Sequence, residues 1–160
     1  MLPMWPTRAR LFITTLWAGS LWTVGYLVAP TLFATLSDRV LAGTVSASMF
    51  RSEAWLSIFC AVLLLALLKW GAPELDRARR RTLLVLVMVM LLCTLVVHFG
   101  LQPSMAALRK AAGPGGVTIS AAKTWFGVLH GVSSLIYLIQ SVLAGFLIWK
   151  QAPLARLRIA

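Results

Sequence analysis

The stretch Trp125–Trp149, WFGVLHGVSSLIYLIQSVLAGFLIW, holds 25 residues without one formal charge. About 20 apolar residues suffice to carry a helix across a bilayer. Inside lipid a single segment of this kind must be helical, because only a helix bonds all of its own backbone N–H and C=O groups. Its polar residues recur at helical spacing. His130, Ser134, Tyr137 and Ser141 step by four, three and four and share one face. Lipid offers such a face no partners, so it is expected to look toward other helices.

The rest of the chain agrees. Of its 160 residues 60% are hydrophobic and only 12% charged, against about a quarter charged in soluble domains. A water-soluble core is excluded and a polytopic membrane domain is expected. The net charge of +11 does not point to nucleic acid, because no basic-aromatic binding motif is present. The basic residues flank hydrophobic stretches, where they set topology and meet lipid headgroups. Cys60 and Cys93 lie inside such stretches with no Cys-x-x-Cys spacing, so they read as small core residues.

Leu11–Ala29 is an uncharged run of 19 residues behind Arg8 and Arg10, closed by Pro30. Its length and its aromatics, with no convincing small-residue cleavage site, argue for a retained helix rather than a signal peptide. Thr15, Gly19, Trp22 and Tyr26 recur at helical steps and are expected to face inward. Gly19 and Thr23 form a small-x-x-x-small pair that admits a close neighbour. Thr31–Phe50 is too polar to span. Leu32, Phe33, Leu36, Val40 and Leu41 suggest a short amphipathic helix in the interface, ended by Gly43 and the serines.

The second span runs from Glu53 to Lys69, with Glu53, Ser57 and Cys60 on one face. A carboxylate at that depth is costly against lipid. Pairing with Arg51 or Arg39, or contact with outside water, is the simplest outcome; a ligand or proton-handling role is the other. Gly71–Arg81 is the hinge between halves, broken by Gly71 and Pro73 and rich in arginine. The third span, Thr82–Leu101, carries Thr94 and His98, with Gln102 continuing that stripe. Ser104–Ala112 is helix-compatible, and the GPGG at 113–116 breaks it. The fourth span is Trp125–Trp149, followed by a basic tail with Arg156 and Arg158.

The expected fold is all-α: a single domain over residues 1–160, an up-down-up-down four-helix membrane bundle with spans at about 11–30, 53–70, 82–101 and 125–149. Ten Lys and Arg residues fall on the side of the termini and central hinge, against five on the other. That places both termini in the cytoplasm, and a bacterial inner membrane is the expected location. In this topology Tyr26, Glu53, His98 and His130 all lie within about 10 Å of the outer boundary, at 1.5 Å of rise per residue. Three readings of this level stay open. The histidines could bond across helices and hold the bundle. His98, His130 and Glu53 could bind a metal, or the two histidines one haem iron. The site could also pass ions or protons, though no internal repeat is visible. Trp22, Ser133, Ser134 and Tyr137 complete the polar face. No catalytic triad, Walker loop or Rossmann glycine pattern is present. Lipid is the expected partner, and a homo-oligomer is compatible.

The run LWAGSLWTVGYLVAPTLFATL (Leu16–Leu36), the Leu101-Gln102-Pro103 turn with Leu108-Arg109, and LHGVS (Leu129–Ser133) together resemble the transmembrane protein 205-like family. The aromatic first helix and His130-Gly131-x-Ser133 are the more specific parts. The resemblance implies a four-helix integral membrane domain without a settled activity, and it leaves a metal-handling or export role open.

Overall fold

A computed structural model describes residues 5–71, 75–113 and 122–151. Residues 1–4, Pro73, the glycines at 115–116 and the basic tail at Arg156 and Arg158 lie outside the described residues. The helices are α1 (Trp5–Trp22), α2 (Ala29–Thr35), α3 (Arg39–Trp70), α4 (Arg77–Leu95), α5 (Gln102–Ala112) and α6 (Lys123–Gln151). Two wide π turns, Thr23–Val28 and Val96–Leu101, join α1 to α2 and α4 to α5 without a break in the rod. The result, among the described residues, is four helices long and apolar enough to cross a membrane: Trp5–Thr35, Arg39–Trp70, Arg77–Ala112 and Lys123–Gln151. They form an all-α bundle in which α1 packs on α3 and α6, and α4 packs on the same two. The first and third spans are therefore diagonal.

These rods run to 31, 32, 36 and 29 residues, about 44–54 Å at 1.5 Å per residue. The hydrocarbon core is only about 30 Å thick, so the bundle overruns it. This corrects the expected interfacial helix over 31–50. Its first part continues the first span, and its second part opens α3. The Asp38 carboxylate accepts from the N–H groups of Val40 at 2.8 Å and Leu41 at 3.1 Å, and so starts α3 at Arg39. Gly43 does not end the helix, because one glycine costs only about 1 kcal/mol and the packed segment beyond it outweighs that.

The wide turns follow from proline. Pro30 and Pro103 lack the N–H that a continuing helix needs and would strike the carbonyl four residues back. Each wide turn ends just before its proline. The Ala29 N–H bonds the Val24 carbonyl and the Gln102 N–H bonds the Val97 carbonyl, both five residues back. Helix then restarts with proline in its first turn, where no N–H is required.

The packed interior is formed by Trp17, Ala18 and Leu21 of α1, Cys60, Ala61, Leu64 and Leu68 of α3, Leu83, Val87 and Met90 of α4, and Ala144 and Leu147 of α6. Both cysteines are free; Cys60 is buried and Cys93 half-buried. Large apolar side chains such as Phe12, Phe59, Val85 and Val142 cover the outside, as a lipid-facing surface requires. The buried stripe of α1 is Arg10, Thr14, Trp17, Ala18 and Leu21. It lies about one residue, or 100°, from the expected one; Thr15 and Tyr26 are exposed and Gly19 faces open space.

One end is closed by arginines. Arg10 Nη1 donates to the Gly71 carbonyl at 2.9 Å. Arg79 grips the Lys150 carbonyl through Nε and Nη2 at 3.0 and 2.6 Å. Arg80 Nε donates to the Leu68 carbonyl at 2.6 Å, and its Nη2 to that of Lys69. The last carbonyls of α3 and α6, which no helix turn can satisfy, are thus capped by cations favoured by the helix dipole. Trp5, Trp70 and Trp149 are exposed at this same end, as an interfacial aromatic belt would be.

Candidate polar site in the bundle

Glu53 sits on the buried face of α3 with Ser57 and Cys60 and is only 5% exposed. Its Oε1 accepts hydrogen bonds from Ser20 Oγ of α1 and Ser57 Oγ of α3, each at 3.2 Å. Ser57 Oγ in turn accepts from the Trp17 indole Nε1 at 2.7 Å. Ser57 is therefore complete as a relay, accepting one hydrogen and passing its own to the carboxyl. Ser20 Oγ also lies 2.9 Å from the Trp17 carbonyl. Its single hydrogen has two acceptors, and a proton on Glu53 would satisfy both contacts at once. No arginine pairs with Glu53 among the described residues. The expected pairing with Arg51 fails on geometry: two residues along a helix point to nearly opposite sides, and Arg51 is exposed.

The other expected site residues occupy separate surroundings. His98 is half-buried, with its ring edge-on to Trp55 at 5.6 Å and to Phe99 at 4.7 Å. His130 is exposed and stacks on Phe126 at 6.1 Å with the planes 4° apart. Ser133 and Ser134 turn their hydroxyls back onto the His130 carbonyl at 2.9 and 2.8 Å. Among the described residues no three His, Cys, Asp or Glu side chains come together as a metal set. Glu53, His98 and His130 are not gathered.

Lower on α6 the stripe does turn inward. Tyr137 donates to the Leu21 carbonyl at 2.7 Å, next to the first wide turn. Its ring meets Tyr26 at 6.3 Å and Phe50 at 5.3 Å, both edge-to-face. It lies directly over Gly25, where a Cβ would collide with Tyr137 Cε1. Trp22, though 40% exposed, reaches the Ser141 carbonyl through Nε1 at 3.3 Å. Gln140 donates to Thr94 Oγ1 at 2.9 Å inside the bundle. Sequence reading missed Gln140, Trp17 and Ser20. Gln140 stands next to Ser141 but off the chosen stripe. Trp17 and Ser20 are three apart, and only the correct rotation of α1 brings Trp17 to Ser57 and Ser20 to Glu53.

On the outer face of α1 lies an open groove of about 460 Å³ lined by Phe12, Thr15, Leu16, Gly19, Ser20, Thr23 and Val24. Its walls are apolar or small. Ser20 belongs both to this groove and to the Glu53 site.

Fold and site together define a multi-pass membrane protein with an acid held in its interior. The family model described as a domain of unknown function, DUF4149, matches residues 12–114. The chain belongs to that family. Comparison with curated proteins and with solved structures returned no match.

Proposed function

We propose that this protein binds a small, mainly apolar molecule with a cationic, hydrogen-bond-donating head, taken up sideways from the bilayer. The apolar body lies in the α1 groove and the head is held at Ser20 and Glu53. The observation that carries the reading is the link between them: a buried carboxyl whose partners among the described residues are hydroxyls, joined through Ser20 to an open apolar groove of about 460 Å³. An intramembrane acid without a basic partner is expensive to keep, and a cationic head supplies what it lacks. The reading is that of a binding or export component rather than an enzyme. In the same proposal the arginine end faces the cytoplasm, the membrane is a bacterial inner membrane, and the nearer kin are the transmembrane protein 205-like proteins.

The test uses purified protein in mild detergent, titrated with decylamine and, as controls, decanoate and decanol. Decylamine is expected to change the fluorescence of the tryptophans saturably, and the controls are not. Glu53→Gln should abolish the response. So should Gly19→Leu, which fills the groove at a position where a Cβ meets nothing. Equal responses to amine and acid, or an amine response indifferent to both substitutions, refute the proposal.

A further inference from the structure

The hydrogens around Glu53 can be arranged in two ways. Ser57 is fixed in both, because the Trp17 indole N–H occupies its oxygen and its own hydrogen points to Glu53. Ser20 is not fixed. Its oxygen stands 3.2 Å from Glu53 Oε1 and 2.9 Å from the Trp17 carbonyl, and a hydroxyl hydrogen turns to suit its neighbours. With Glu53 ionised, the Ser20 hydrogen points to Oε1. With Oε1 protonated, Ser20 accepts from Glu53 and turns its own hydrogen to the Trp17 carbonyl. No donor is orphaned in either state, so the site can change by one proton without moving a heavy atom.

The ionised form is nevertheless short of partners. A carboxylate offers about four acceptor positions, and two hydroxyls fill two of them. The second oxygen, Oε2, accepts no hydrogen bond among the described residues and is not sealed from the surface. Around it, α1 presents Trp17 and Ser20, the first wide turn carries Tyr26, α4 carries Cys93, the second wide turn His98 and α6 Tyr137. On α3 itself stand Cys60 and the exposed Arg51. None of these titratable groups makes a hydrogen bond or ion pair with Glu53 among the described residues. A net charge buried in this way is expensive. Two states of the site are neutral overall: a carboxyl that keeps its proton, and a carboxylate paired with a cation.

We propose that a proton and a cationic ligand head compete for Glu53, one for one, so that the site is a proton–cation exchanger. This rests on the binding reading above and adds its regulation. When the head enters, the O–H bond of Glu53 breaks, its electron pair stays on the carboxylate, and the proton leaves to water. The ammonium keeps all its hydrogens. One positive charge enters for each that leaves, which is the stoichiometry a proton-driven exporter of cations requires.

Purified protein in weakly buffered detergent is titrated with decylamine hydrochloride between about pH 5.5 and 8, where an alkylamine stays cationic. A pH indicator counts released protons, and infrared difference spectra follow the carboxyl. About one proton is expected per decylamine bound, with loss of a protonated-carboxyl band and an affinity that rises about tenfold per pH unit until the empty site ionises. Glu53→Gln should abolish the release. His98→Gln and His130→Gln, which remove the side chains that ordinarily titrate near neutrality, should keep it. Decylamine binding in the unaltered protein without proton release or a change in the carboxyl band overturns the exchange and leaves the binding reading standing. Release that persists in Glu53→Gln overturns it as well. Absence of decylamine binding at every pH overturns both.

Discussion

Gly25 and Gly19 lie six residues apart in the first span, and the structure assigns them opposite sensitivities. A Cβ on Gly25 would run into Tyr137 Cε1 and lie 3.1 Å from Cζ and 3.2 Å from the hydroxyl oxygen; a Cβ on Gly19 meets nothing within 4 Å. Gly25→Ala must therefore displace the Tyr137 ring or separate the first and fourth spans. Overpacking of this kind costs about 1–3 kcal/mol. If the ring swings aside, its bond to the Leu21 carbonyl is lost for about 0.5–1.5 kcal/mol, and its edge-to-face contacts with Tyr26 and Phe50 for about 0.5–1.5 kcal/mol each. The chain takes the cheaper route, so the cost falls at about 1–3 kcal/mol. The gain in helix propensity from glycine to alanine, about 1 kcal/mol, applies to both substitutions and cancels between them. Gly25→Ala is thus expected to be about 1–3 kcal/mol less stable than Gly19→Ala, which should match or exceed the parent. Reversible unfolding in mixed micelles of increasing SDS content, read by tryptophan fluorescence, measures the difference. In a Tyr137→Leu background the difference should collapse. Two single variants within about 0.5 kcal/mol of each other would refute the close-contact reasoning.

Trp17→Phe removes the indole N–H that Ser57 accepts; a loss of about 1–3 kcal/mol is expected in the same unfolding assay, with a weakened decylamine response if Ser57 orients Glu53. Gln140→Leu and Thr94→Val break a buried bond of 2.9 Å, and a double-mutant cycle should return a coupling of about 0.6–1.7 kcal/mol, the range for such bonds in membrane bundles. Arg80→Ala uncaps two carbonyls at the end of α3 and is expected to speed amide hydrogen exchange over its last turn, while that of α6, capped by Arg79, keeps its rate.

The four spans were legible because bilayer thickness and backbone satisfaction leave an uncharged run of this length few alternatives. The buried face of Glu53, Ser57 and Cys60 was legible because polar residues mark the interior when the outside is hydrocarbon. The rotation of α1 was not. Thr15–Gly19–Trp22–Tyr26 and Thr14–Trp17–Ala18–Leu21 share one period and differ by a single step. In lipid, apolarity no longer tells inside from outside, and small residues suit either a close neighbour or an open groove. The helical course of 39–50 was missed for another reason. Its polarity argued against a span, but Asp38 starts α3 at Arg39 and the helix continues through it. The arginines of the hinge were read as topology signals; that Arg79 and Arg80 cap helix ends depends on where other helices stop, which spacing does not reveal.

The wide turns connect these observations. Thr23–Pro30 and Val96–Pro103 both place an aromatic residue fourth and proline eighth, and both become wide turns, although the two octets share little else. Each lies just past a buried polar lock to the next straight helix. Ser20, three residues before the first turn, bonds Glu53 of α3; Thr94, two before the second, bonds Gln140 of α6. The two halves of the bundle thus repeat one device: a bent span, a proline-set turn, and a hydrogen bond that fixes the bent span to its straight neighbour. Such a lock is useful there, because a wide turn weakens the helix's own ladder and leaves the outer third of the rod to be aimed by side chains. The halves differ in what closes the lock. In the second it is a neutral amide, complete with its hydroxyl partner. In the first it is an acid with no basic partner among the described residues, and Ser20, which bonds it, also lines the groove. A purely structural role would be served equally by an amide in both places, and this difference between Glu53 and Gln140 is what the proposed binding of a cationic head rests on.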